Sequence, residues 1–153
     1  MKKIFIFIVI SHMFILAGCN LTPTPQPTPT MEKPTVTVPE LDGTIWLLNS
    51  MNSDNPITNT FITLMFIDGW ATGNAGCNDY GGEYSSTTEG VLNVHFLVSH
   101  QVLCLEPAGI MEQEALYLEL LENVDQYGIV DGRLRLNAGD DDYLDFGYLQ
   151  PTD

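Results

Sequence analysis

Glu114 is the residue best placed for acid–base chemistry. It sits in Ile110–Val124, where Ile110, Tyr117, Leu121 and Val124 recur at helical spacing as an apolar stripe. Glu112, Glu119, Glu122 and Gln126 form the opposing polar stripe. Glu114 breaks the pattern by projecting toward the apolar side. A carboxylate there is either bonded to nearby backbone N–H groups at the core edge or is a functional acid. The densest acid cluster is Asp140-Asp141-Asp142, with Asp145 beyond. It invites a calcium reading, because Ca²⁺ takes several oxygen ligands. The spacing is not that of an EF-hand, and a solvated hairpin turn accounts for it as well. His95 and His100 read as ordinary sheet residues. His100 cannot serve its neighbour Ser99, since adjacent strand residues point to opposite faces. Gly-Xaa-Ser-Xaa-Gly, His-Glu-Xaa-Xaa-His and Cys-Xaa-Xaa-Cys are all absent. No catalytic set, metal or cofactor is expected.

The three cysteines divide into one and two. Lys2 and Lys3 precede an apolar run, Ile4–Leu16, that is too short to span a membrane. A basic start before such a run reads as a secretory signal peptide. It ends in Leu16-Ala17-Gly18-Cys19, which resembles a bacterial lipobox. The resemblance implies cleavage after residue 18 and lipid on the Cys19 thiol. Cys77 and Cys104 then remain as an even pair in an exported domain. Such pairs commonly form disulfides, and closing this loop would stabilise by about 3 kcal/mol in the chain-entropy model. Two buried thiols are the alternative.

The whole chain of 153 residues carries five basic and twenty acidic side chains, a formal charge of −15. Removing residues 1–18 takes away two lysines and no acid, so the mature chain stands at −17. That balance excludes a nucleic-acid binder, which needs clustered Lys and Arg against phosphates. It favours a soluble monomer. Residues 19–39 hold the lipidated cysteine and a tether with six Pro and six Thr. Such a tract adopts extended polyproline II, about 3.1 Å per residue, and serves as a spacer or a recognition ligand. Residues 40–153 are one block, long enough for a single core.

Within that block the pattern predicts strands at Thr44–Leu48, Phe61–Phe66, Trp70–Ala75 and Leu92–Val98. Further strands follow at Tyr127–Val130, Leu134–Leu136 and Tyr143–Tyr148. In Leu92–Val98, the alternation puts Leu92, Val94, Phe96 and Val98 on the buried face. Asp68-Gly69 and Asp131-Gly132 are hairpin turn signals. Gly73 suggests a bulge or a close backbone approach. Gly76, Gly81 and Gly82 permit tight turns, Asn78 and Asp79 stabilise one, and Tyr80 and Tyr84 anchor it. A glycine-rich anion cradle is the other reading, but it lacks the following Lys. Hairpins plus one helix, Ile110–Val124, predict an α+β fold. The expected form is a curved antiparallel sheet or partial β-barrel with the helix packed against its open side.

Leu41-Asp42-Gly43-Thr44-Ile45-Trp46 opens the block, and Ile62–Gly69 follows. Gly76-Cys77-Asn78-Asp79-Tyr80-Gly81-Gly82-Glu83-Tyr84 comes next. Cys104, Met111-Glu112-Gln113-Glu114 and Tyr117-Leu118 stand in order behind it. Together these resemble the META/HslJ domain of bacterial envelope lipoproteins over nearly all of 41–146. The chain departs from that pattern at His100, where Thr is expected. The resemblance implies a barrel-like antiparallel sheet with one helix, and motif roles for Trp46, Gly76, Asn78, Tyr80, Gly82, Tyr84 and Glu114. It also implies a link to heat shock and antibiotic tolerance, and it brings no settled activity or cofactor. The expected function is a non-catalytic, lipid-anchored cell-envelope protein that binds or braces another envelope component. The alternative is a carrier of a small apolar ligand, its cavity lined by Trp46, Phe66, Phe96 and Leu121.

Overall fold

The computed structural model describes residues 40–149. The expected signal peptide, Cys19 and the expected tether lie outside the described residues. Eight strands and one helix follow in the order β1 (Thr44–Met51), β2 (Thr63–Ile67), β3 (Trp70–Asn74), β4 (Asp79–Ser86), β5 (Leu92–Ser99), α1 (Ile110–Glu122), β6 (Gln126–Val130), β7 (Arg133–Ala138) and β8 (Asp142–Tyr148). The strands form one antiparallel sheet in the order β5-β4-β3-β2-β1-β8-β7-β6. The sheet curls until its edges meet at one end. There Leu92 N–H donates to the Asp125 carbonyl and Tyr127 N–H to the Gly90 carbonyl. Beyond that junction β5 and β6 diverge, and α1 packs against β5, β7 and β8. The result is an α+β half-barrel with the helix across its opening. Among the described residues, no helix is long and apolar enough to cross a membrane.

Local chemistry explains the hairpins. Asp68-Gly69 has φ of 49° and 81°, and Asp131-Gly132 has 52° and 75°. Left-handed backbone at both central residues matches the twist of the flanking strands. The interior is one apolar cluster that includes Trp46, Leu64, Phe66, Leu92, Tyr117, Leu121, Leu134 and Phe146. The helix contributes Ile110, Tyr117, Leu120 and Leu121 from its inner face. It ends at Glu122 rather than Val124, because Asn123 closes it with Nδ2 bonded to the Glu119 carbonyl. Val124 is buried all the same. β1 runs on to Met51, past a register shift between Leu48 and Ser50. β2 starts two residues later than expected, leaving Phe61 exposed.

Two expectations are corrected. Residues 79–84 are not a turn: Asp79–Ser86 is a full strand, and the turn is confined to the residues before it. Phe96 and Val98 do not face the interior; they are 79% and 69% exposed. The cause is a bulge. Gly81 pairs with Val98 and Glu83 with His95, so Phe96 and Leu97 together oppose Gly82. Phe96 takes φ of 55°, the alternation inverts, and Leu97 packs against the core instead. This bulge explains Gly82. A Cβ there would lie 2.8 Å from the His95 carbonyl oxygen and 3.2 Å from Leu97 Cα. At Gly81 a Cβ would meet only the Thr72 side chain, at 3.6 Å.

Gly82→Ala should therefore destabilise by about 1–3 kcal/mol through overpacking against backbone. Gly81→Ala should stay within about 1 kcal/mol of the parent. Urea midpoints of the two variants check the contrast.

Candidate functional site

After Ile110, the buried face of α1 holds two polar side chains, Gln113 and Glu114. Each is fully engaged. Glu114 Oε2 accepts from the Asn78 N–H at 2.7 Å and the Cys77 N–H at 3.3 Å. Its Oε1 accepts from Asn78 Nδ2 at 2.7 Å. Asn78 also clamps the segment after β5. Its Nδ2 donates to the Val102 carbonyl at 3.0 Å, and its Oδ1 accepts from the Val102 N–H at 2.9 Å. Gln113 Oε1 accepts from the Ile57 N–H at 2.6 Å, and its Nε2 donates to Thr60 Oγ1 at 3.1 Å. One helical turn thus holds three separate loops.

Gly76 makes this approach possible. Its φ is 110°, and a Cβ would lie 3.1 Å from Gln113 Nε2. Next to it, Cys77 and Cys104 form a disulfide with Cα atoms 6.1 Å apart. The bridge ties the segment after β5 to the turn that Glu114 grips. Asn78, His100, Val102, Met111 and Glu114 line a cleft of about 210 Å³ beside the bridge.

A second polar centre lies deeper. The Tyr80 hydroxyl donates to the Thr63 carbonyl at 2.8 Å. Its single proton is then used, so the Tyr117 hydroxyl, 2.6 Å away, is the donor to Tyr80. Gly73 lets Tyr80 reach Thr63, since a Cβ there would collide with the Thr63 carbonyl. Burial drives the Tyr80 and Tyr117 hydroxyls well above the usual tyrosine range. The Tyr84 hydroxyl is pushed up to about 12, first by desolvation and then by the Asp42 carboxylate.

The structure therefore brings Gly76, Cys77, Asn78, Cys104 and Glu114 together, with Tyr80 joined to the helix through Tyr117. It does not bring Trp46, Gly82 or Tyr84 into that group. Trp46 is buried with its Nε1 donating to Thr44 Oγ1, and Tyr84 packs edge-on to Phe66. His95 and His100 are both exposed. Asp142 accepts from Asn52, whereas Asp145 accepts from Arg135. Among the described residues, no group of three or more His, Cys, Asp or Glu is arranged to hold a metal. Sequence reasoning missed the roles of Gln113 and Val102. Gln113 was findable, because it sits four residues before Tyr117 on the buried stripe.

A model of the META domain matches residues 39–150. The chain belongs to the META domain family. Three solved structures resemble the fold of this chain at low identity. An NMR structure of a protein from Burkholderia xenovorans has TM-score 0.60 and 24% identity, covering 81% of this chain and all of that one. A second NMR structure has TM-score 0.57 and 20% identity, covering 70% and 90%. A crystal structure of a DUF4847-family protein from Bacteroides vulgatus has TM-score 0.51 and 12% identity, covering 73% and 96%. At such identities they speak to the fold alone. No curated protein matches the chain.

Glu114→Gln puts an amide N–H₂ against either the Cys77 and Asn78 N–H groups or Asn78 Nδ2, a donor facing donors in both orientations. It should cost about 1–3 kcal/mol of stability, read as a lower urea midpoint. The tyrosines set an alkaline limit. An unfolded tyrosine ionises near 10, so at high pH the unfolded chain loses these protons before the folded one does. The stability they carry is complete below about pH 10 and declines as pH rises toward and past 12. Unfolding curves from pH 8 to about 11.5 should show that decline, and Tyr117→Phe should flatten it.

Proposed function

We propose that this META domain is a non-catalytic binding module of the bacterial cell envelope. It is exported, lipid-anchored through Cys19, and carried on the 19–39 tether as a monomer. It engages another envelope component through an apolar rim formed by the end of β5 and the segment that follows. The observation carrying this reading is exposure. Phe96, Val98, Val102, Leu103 and Leu105 are 63–79% exposed, five of ten consecutive residues, in a strongly acidic chain. Runs of exposed apolar side chains mark interaction surfaces. The rim is also held in place, by the Cys77–Cys104 bridge and by the two Asn78 bonds to Val102.

Glu114 supports the non-catalytic part. Both its oxygens receive donors from the protein's own backbone and Asn78, so it acts as an anchor. The lipobox-like Leu16–Cys19 run supports the address. A stress-linked role, which the family resemblance suggests, suits a module that braces a partner. Carriage of an apolar ligand has less support. Trp46, Phe66 and Leu121, which would line its cavity, lie in one packed cluster with Tyr117 and Phe146, and Phe96 lies outside it.

In-cell cross-linking tests the rim. The parent chain should give a discrete adduct that Leu103→Asp/Leu105→Asp abolishes, with the urea midpoint of the variant unchanged. An adduct that persists in the variant, or none with the parent, would overturn the proposal.

A further inference from the structure

Among the described residues, Arg133 and Arg135 are the only Lys or Arg, against eighteen acids. They stand two apart on β7, with Leu134 buried between them, so both face outward. Their states differ. Arg135 is locked: Nε and one Nη donate to the two Asp145 oxygens at 2.8 and 2.6 Å. Its guanidinium also lies 4.5 Å over the Tyr143 ring. Arg133 is exposed and has no ion pair among the described residues.

Two clefts meet at Arg135 and Val130. One, of about 350 Å³, is lined by Val130, Asp131, Arg133, Arg135 and Asp145. The other, of about 430 Å³, continues past Gly128, Gln126 and Asn137. Gly128 is opposite Arg135 in the register and leaves the groove without a side chain at that point. Each cleft is within the roughly 300–1,000 Å³ range of ligand sites. The Asp131-Gly132 turn, with both residues left-handed, holds the Arg133 end in place.

The lining names the ligand class. One free guanidinium calls for one carboxylate. The fixed Arg135–Asp145 pair and the Asn137 and Gln126 amides offer donors and acceptors in alternation, which suits hydroxyl and acetamido groups. Asp131 in the first cleft and Glu89 in the second have no ion pair among the described residues and oppose a polyanion, which argues against phosphates. Asp131, Asp145, Arg133 and Arg135 together in the first cleft disfavour an acyl chain, which cannot pair with charged groups. We propose that this groove binds a sugar bearing a single carboxylate, with the carboxylate on Arg133 and the sugar body along Arg135 and Asn137. The groove is built mainly on β6 and β7, with Asp145 of β8 and Glu89 at its margins, and shares no residue with the apolar rim, so the two proposals stand or fall separately.

Amide chemical shifts of the purified protein would follow titration with N-acetylmuramic acid, a carboxylated sugar. N-acetylglucosamine supplies the sugar without that carboxylate. N-acetyl-D-alanyl-D-alanine supplies a carboxylate without the sugar. Saturable shifts at Gly128, Arg133, Arg135 and Asn137 are expected with the carboxylated sugar. Arg133→Ala should weaken binding about tenfold with no change in urea midpoint, because it removes one charge-assisted contact at an exposed position. N-acetylglucosamine should bind the parent more weakly by a similar factor. Shifts that are absent or lie elsewhere, an Arg133→Ala variant that binds as the parent does, or a dipeptide that binds as well as the sugar would each overturn the assignment.

Discussion

A buried carboxylate with three donors holds this domain together. Taking a charge out of water costs several kcal/mol unless hydrogen bonds replace the solvent. Glu114 therefore requires converging N–H groups, and the Cys77–Asn78 turn supplies them. That requirement propagates. The turn must come close to the helix, so Gly76 has no side chain and a left-handed φ. Asn78 must be buried, so its remaining amide capacity goes to Val102. The disulfide fixes the same junction covalently. A helix of thirteen residues with no side-chain cap at its start is marginal alone. Here its position across the open sheet comes from these bonds together with the apolar face beneath.

The deeper tyrosine pair does a related job in neutral form. Tyr117 from the helix, Tyr80 from β4 and the Thr63 carbonyl from β2 form a chain of hydrogen bonds through the core. Gly73 gives way so that this chain can form. Polar groups thus set the register between helix and sheet, while apolar contacts supply most of the adhesion. The outer surface divides into a rigidly held apolar rim after β5 and a groove around the two arginines of β7.

Features governed by neighbouring residues were readable in the sequence. The Asp68-Gly69 and Asp131-Gly132 turns depend on backbone preferences of two residues. The helix stripe is periodic over four turns, and even Glu114 stood out against it. Features governed by distant chain were not. Asp79–Ser86 holds two glycines behind an Asn-Asp pair, so it reads as a turn. Gly82 is small because of crowding from the His95 carbonyl and Leu97 on the next strand, which no local pattern reveals. The inversion at Phe96 has the same origin, since alternation assumes an unbroken ladder. The family resemblance carried the order of the elements but not the reason for any glycine in it.

The bulge at Phe96 and Leu97 bears on how copies of this domain coexist at high density. β5 is an edge, and an edge strand with regular spacing is a template on which another strand can grow. The extra residue breaks that template midway, so a second chain cannot stay in step along it. The edge that exposes Phe96 and Val98 is thereby a poor seed for fibrils. The kink that turns Phe96 and Val98 outward is also what interrupts the edge.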